Sequence, residues 1–311
     1  MNALNNSSAQ PLPTDTRPVA GVLWMLLTGA MFVAVTAIVK HLGEGVPAAQ
    51  SAFVRYALGL VFLLPMLPAM LRAPLDGRGW WLFSLRGLVH TFAVILWFFA
   101  MTRISLAEVT AMNYLAPVYV ALGAVLFLGE RLRLRRMAAI GAAILGAVII
   151  LRPGIREVSA GHLAMLAAAV FFAASYLIAK RMTGRVSAVV VVGMLSVMVT
   201  IGLAPFAWAV WVPMSASQVG WLFLVAAFAT AGHYTMTLAF AAAPISVTQP
   251  VTALQLVWAV LLGAVFFGEP VDLYVVAGGS VIAAAVIFIA LREHALSRAS
   301  LSAGSARPPA P

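Results

Sequence analysis

No cysteine occurs in the 311 residues, and only 9% of them are charged. The first absence removes disulfide frameworks, thiolate metal sites and cysteine nucleophiles together. The second removes the soluble globular class, in which about 25% of residues are charged. Acids are the scarcer sign, nine Asp and Glu against 19 Lys and Arg, for a net charge of +10. Such an excess would suit nucleic acid if it formed one solvated face. Here the bases are scattered between apolar runs, so no nucleic-acid partner is expected and a lipid bilayer is. What the chain has in abundance is apolar side chain, at 63%.

A crossing of the hydrocarbon core takes roughly 20 mostly apolar residues. The runs between Gly, Pro and charged breaks give ten spans, at about 19–40, 48–70, 79–101, 106–128, 135–151, 161–180, 188–211, 218–241, 246–267 and 273–291. The runs are continuous rather than alternating, which indicates an all-α integral membrane protein and not a β-barrel. Joints such as Arg72–Arg78, Glu130–Arg136 and Gly268–Asp272 leave no room for a soluble domain. Residues 1–18 and 294–311 are polar or small and read as disordered tails. The first run, preceded by a single Arg, reads as a retained helix rather than a cleaved signal. With the N-terminus inside, 13 Lys and Arg fall on the cytoplasmic side and four (Lys40, Arg103, Arg152, Arg156) outside, with Arg55 and Arg86 within spans. This asymmetry places both termini in the cytoplasm of a multi-pass inner-membrane protein.

The chain also repeats itself. Ala20–Lys40 laid on Ala160–Lys180 matches nine of 21 positions without a gap. Trp81-Leu82-Phe83 recurs as Trp221-Leu222-Phe223, and Phe127, Gly129 and Glu130 recur as Phe266, Gly268 and Glu269. A constant shift over five spans implies two halves, 19–152 and 153–293, of opposite orientation, since an odd number of crossings inverts the copy. Inverted repeats suit carriers, because two similar halves can exchange conformations around one midplane site.

The residues Arg86-Gly87, the stretch Ala100 to Ala107, Thr110, Ala111, Pro117 and Gly129-Glu130-Arg131, with Pro244, Ser246, Pro250 and Gly268-Glu269-Pro270 in the second half, resemble the signature of EamA-type drug/metabolite transporters. That resemblance covers nearly the whole chain and implies ten helices as two five-helix repeats. It also implies that spans 1, 3, 4, 6, 8 and 9 surround a central cavity, with spans 5 and 10 peripheral. Members include exporters of amino acids and opine-type metallophores, and importers of riboflavin or S-adenosylmethionine.

Polar residues inside the spans are the candidates for lining a pathway, because backbone and side-chain polar groups find no water in lipid. Arg86, His90 and Trp97 share one face of span 3; Thr248, Thr252, Gln255 and Trp258 share one of span 9. Spans 4, 6 and 8 add Asn113 and Tyr114, Tyr176, and His233 and Tyr234. Arg86 is open between attracting a substrate carboxylate and holding helix ends, whereas Arg55 is read as structural. Pro117 and Pro250 are hinge candidates, each removing a helix hydrogen bond. Glu130 and Glu269 follow Gly at span ends and are read as architecture. All nine acids avoid the membrane centre, and Glu108 at the outer end of span 4 is expected to face the mouth.

No metal-ligand spacing, nucleotide motif or catalytic trio is present, so neither a cofactor nor an enzyme is expected. The leading reading is a secondary carrier, working by alternating access, for a small zwitterionic or anionic, amino-acid-like metabolite, in the export direction. Uptake of a cofactor such as riboflavin or S-adenosylmethionine is the alternative, and a membrane-embedded enzyme or a scaffold stands in another class. Small residues along span 5, including Gly141 and Gly146, permit a homodimer.

Overall fold

The computed structural model describes residues 17–128, 134–182 and 186–305. The regular elements found there are helices. Ten of them, among the described residues, are long and apolar enough to cross a membrane: Pro18–Gly45, Ala48–Leu71, Gly77–Met101, Leu106–Leu126, Leu134–Leu151, Ala160–Met182, Val189–Ala209, Ala216–Ala242, Pro250–Phe267 and Leu273–Arg292. These are spans 1 to 10. The expected tail at residues 1–16 and the position of Glu130 lie outside the described residues. At the other end the expectation of a disordered tail from residue 294 is corrected. The last helix runs Leu273–Ser305, because Ala, Leu and Arg favour continuation and no Pro or Gly occurs between Gly279 and Gly304.

Helix starts follow local chemistry. Pro18 occupies the first turn of span 1, where its missing N–H is no loss. Ser105 with Glu108, and Ser215 with Gln218, form reciprocal capping boxes at spans 4 and 8. Spans 4 and 9 are each broken once, between Leu106–Asn113 and Leu115–Leu128 and between Ile245–Thr252 and Leu254–Phe267. The breaks at Tyr114 and Ala253 are 139 residues apart, so they occupy equivalent places in the two repeats. In span 4 the cause is Pro117, which cannot donate to the Asn113 carbonyl. In span 9 the break falls three residues after Pro250, and the Leu256 N–H turns to Ala253 O at 3.1 Å. That leaves the Thr252 carbonyl to accept the Tyr114 hydroxyl at 2.9 Å, so the two broken points bridge one another.

Packing follows the repeat. Span 1 lies on span 8 and span 3 on span 6; spans 2 and 7, and 5 and 10, pair with each other. Exchange of the halves maps each of these pairs onto another or onto itself. Spans 5 and 10 cross at Gly146 and Gly278, where a Cβ on Gly146 would meet Gly278 O at 2.7 Å. Small residues at such a crossing let backbones approach where no hydrophobic force drives helices together. Gly146→Val is therefore expected to cost about 1–3 kcal/mol by overpacking, read as a lower melting temperature in detergent, while Gly141→Val, with open space around its Cβ, leaves it unchanged.

One contact breaks the internal symmetry. The first half of span 4, Leu106–Asn113, packs on the second half of span 9, Leu254–Phe267. The equivalent pair, Leu115–Leu128 with Ile245–Thr252, makes no comparable contact among the described residues. Spans 4 and 9 thus meet at one end of the bundle and diverge towards the other.

Candidate functional site

Between the diverging helices lies a cavity of about 350 Å³, within the size range of small-molecule sites. One wall is a chain of rings. His90 stands edge-on to Phe172 at 5.1 Å, Trp97 edge-on to the same ring at 6.0 Å, and Tyr176 stacks on it at 6.3 Å. His90 Nδ1 lies 3.1 Å from Ser175 Oγ, which fixes the imidazole plane. Phe32 and His233 face one another from spans 1 and 8 at 5.2 Å. Tyr114, Pro117, Asn113, Thr252 and Gln255 complete the lining from spans 4 and 9.

Among the described residues, the cavity lining carries one fixed charge. Arg55 lines it from span 2, with its guanidinium 4.1 Å from the ring centre of Tyr56. Among the described residues, none that lines the cavity is Asp or Glu. The Trp97 indole N–H is buried and has no hydrogen-bond partner. An unsatisfied buried donor beside an aromatic cavity is an invitation to an acceptor on a bound molecule.

Of the residues singled out in the sequence, His90, Trp97, Asn113, Tyr114, Tyr176, His233, Thr252 and Gln255 come together here, as does Pro117. Four others do not. Arg86 is buried and donates to Val191 O of span 7 at 3.0 Å, outside the lining. Tyr234, 64% exposed, lies off the lining because the face of span 8 with Ala229, Gly232 and Thr235 packs inward. Trp258, 43% exposed, lies off it because beyond the break Leu256, Ala259 and Gly263 take the buried face of span 9. Pro250 is exposed on span 9. Arg55, read from the sequence as structural, lies on the cavity lining.

Glu108 is also corrected: it is buried at the closed end and does not face the mouth. Its carboxylate accepts from Ser105 N at 2.9 Å, pairs with Arg156, and lies 3.1 Å from His162 Nε2. The Ser159 N–H donates to His162 Nδ1 at 3.1 Å, and His162 Nε2 faces both the Glu108 carboxylate and the Arg156 guanidinium. Glu269 is placed at the same end, 2.7 Å from Lys40 Nζ.

Sequence reasoning passed over Thr28, Phe32 and Thr36, which line the cavity from span 1. Their i, i+4, i+8 spacing was a usable signal. Tyr56 and Phe172 were hidden among other aromatics and are found only from the fold. Tyr114→Phe, which removes the bridge to Thr252 O, is expected to slow substrate flux about two- to fivefold, for one neutral hydrogen bond of ~0.5–1 kcal/mol, with the melting temperature nearly constant.

The EamA-like transporter family model matches residues 19–152 and 159–291. The chain is 33% identical over 299 residues to the riboflavin transporter of Rhizobium johnstonii, covering 94% of this chain and 97% of that one. It is 29% identical over 294 residues to the riboflavin transporter of Vibrio cholerae, covering 90% and 96%. It is 26% identical over 270 residues to the pseudopaline exporter CntI of Pseudomonas aeruginosa, covering 86% and 95%.

Proposed function

The chain belongs to the EamA-like transporter family, and from that premise we propose that it carries a planar, uncharged or anionic aromatic metabolite of the riboflavin class across the inner membrane, inward. It is a multi-pass membrane transporter; the substrate, the inward direction and the cytoplasmic placement of both termini are parts of this proposal. The observation that carries it is the make-up of the cavity: a wall of rings, one guanidinium and no carboxylate. An isoalloxazine offers a flat face to Phe172 and Tyr176, and its carbonyls are acceptors for Arg55 and for the unpartnered Trp97 N–H. Asn113, Gln255 and Thr36 supply donors and acceptors of the kind a ribityl chain needs. Two relatives named riboflavin transporters, each aligned over at least 90% of this chain, support the same reading.

Two other substrate types fit this lining less well. A sulfonium such as S-adenosylmethionine would set a fixed positive charge near Arg55 with no carboxylate in the lining to offset it. Export of an amino-acid-like zwitterion, as the pseudopaline exporter among the relatives suggests, would engage Arg55 through a carboxylate. Its ammonium would then find only neutral oxygens and ring faces, which makes it the second reading.

The test is riboflavin titrated into the purified protein in nanodiscs, followed by flavin fluorescence, with labelled riboflavin flux in proteoliposomes. Saturable quenching and protein-dependent flux are expected. Flux equal to that of protein-free liposomes would reject the substrate assignment, and protein-dependent flux of amino acids instead would move it to the second reading.

A further inference from the structure

At the end where spans 4 and 9 meet, two side chains join three spans. Glu269 follows span 9, and its carboxylate accepts the N–H of Leu106, the first residue of span 4, at 3.0 Å. Lys40 Nζ, near the end of span 1, pairs with the same carboxylate at 2.7 Å and donates to Ile104 O at 2.7 Å. The local backbone is shaped for this. Gly268 adopts φ +63°, and the Glu269 N–H returns to Gly263 O at 3.0 Å, a turn that folds the carboxylate back over the helix end. Gly263 leaves the room, since a Cβ there would lie 2.3 Å from the Glu269 carboxylate. Directly beneath, Val33, Leu106 and Ala259 form a small apolar plug with Phe267 against it.

The geometry points to Glu269 and Lys40 as a gating latch: the Lys40–Glu269–Leu106 contact holds this end of the pathway shut and is released when the carrier opens to that side. Three observations combine in it. The latch binds the three span ends that close over the cavity. It sits where the symmetry between the repeats is broken, so it belongs to one of two interchangeable conformations rather than to the scaffold common to both. Lys40 and Glu269 keep 18% and 13% side-chain exposure, so water can take over their hydrogen bonds on opening, and the free N-terminal N–H of span 4 is likewise solvated. The inference rests on the chain being a carrier that opens to each side in turn, and not on riboflavin as its cargo.

A substrate-free experiment tests it. The chain contains no cysteine, so Thr36→Cys supplies a single reporter in the cavity and Gly45→Cys, in open space, marks the side on which the latch lies. Proteoliposomes are labelled with an anionic, membrane-impermeant methanethiosulfonate from each side in turn, an anion being chosen because Arg55 would repel a cationic reagent. From the latch side, Lys40→Met and Glu269→Gln are expected to raise the Thr36→Cys labelling rate about fivefold, as for loss of a partly exposed ion pair. Glu269→Leu also loses the cap on Leu106 and is expected to raise it about thirtyfold, with labelling from the opposite side reduced. Glu44→Gln, which removes an exposed pair with Arg103 at the same end, leaves the rate unchanged. Rates unaltered in folded Lys40→Met and Glu269→Gln would overturn the latch. So would a rise from both sides together, the sign of a loosened fold. Failure of riboflavin transport leaves these outcomes intact, so the two ideas fall separately.

Discussion

Arg55→Gln is expected to weaken riboflavin binding by about 10- to 100-fold, since a hydrogen bond from a charged donor is worth ~1.5–3 kcal/mol. The loss concentrates on this residue because, among the described residues, Arg55 is the only Lys or Arg that lines the cavity. Its position seven residues into span 2 places it ~10 Å below the membrane surface by helix rise. Burying a guanidinium at that depth is costly and is retained where it serves a ligand or a pathway. Fluorescence titration in nanodiscs measures the effect, and Arg55→Lys is expected to recover part of it by keeping the charge but not the planar fork. Arg86→Gln is the informative contrast. It breaks the bond to Val191 O, so it should lower the melting temperature and leave the dissociation constant within about twofold, inside what is read as an indirect effect. An unchanged dissociation constant in Arg55→Gln would remove Arg55 from the site.

The largest loss of stability is expected from Glu108→Ala. This carboxylate caps the start of span 4 and is the shared partner of Arg156 and His162. Its removal undoes one half of the capping box and leaves Arg156 with His162 Nε2 and a longer contact to Asp272, at 3.8 Å. A fully buried pair broken on one side costs ~3–5 kcal/mol; Arg156 keeps 27% side-chain exposure, which reduces the expectation to about 2–4 kcal/mol. Thermal unfolding in detergent, followed by tryptophan fluorescence, reports it. Glu108→Gln retains an amide oxygen for the Ser105 N–H and should lose about half as much, as expected when the cap survives and the charge does not. Riboflavin affinity of the folded variants should be unaltered, because Glu108 does not line the cavity. A melting temperature equal to that of the parent would show that the cluster contributes no net stability.

Much of the architecture was legible in the one-dimensional pattern. The ten spans follow from apolar runs bounded by Gly, Pro and charge, and the helices found agree with them. The two repeats could be read from recurring residues such as Trp81 and Trp221 because duplication leaves a fixed offset. Within the site, His90 and Trp97 on span 3 and Thr252 and Gln255 on span 9 were recoverable from helical spacing. The same spacing failed for Trp258, because past Gln255 the buried face of span 9 is taken by Leu256, Ala259 and Gly263, which leaves Trp258 outward. It failed for Tyr234 as well. Thr230 and Thr237 on its face bond to their own helix carbonyls, at 2.9 Å each, so a polar face there needs no cavity.

The sequence by itself determined the number of crossings, the inverted duplication and the family, since each depends on composition or offset along the chain. Which of the two span-embedded arginines meets the cavity was decided only by the tertiary structure. A helix carries its side chains around a full turn, and neighbouring helices choose the face that is buried, the face that lines a cavity and the face left outward. The closed end was decided there too. Two halves of similar sequence can adopt either of two arrangements, and nothing local distinguishes them. The choice is made by contacts between distant segments, with Lys40, Leu106 and Glu269 drawn together from spans 1, 4 and 9.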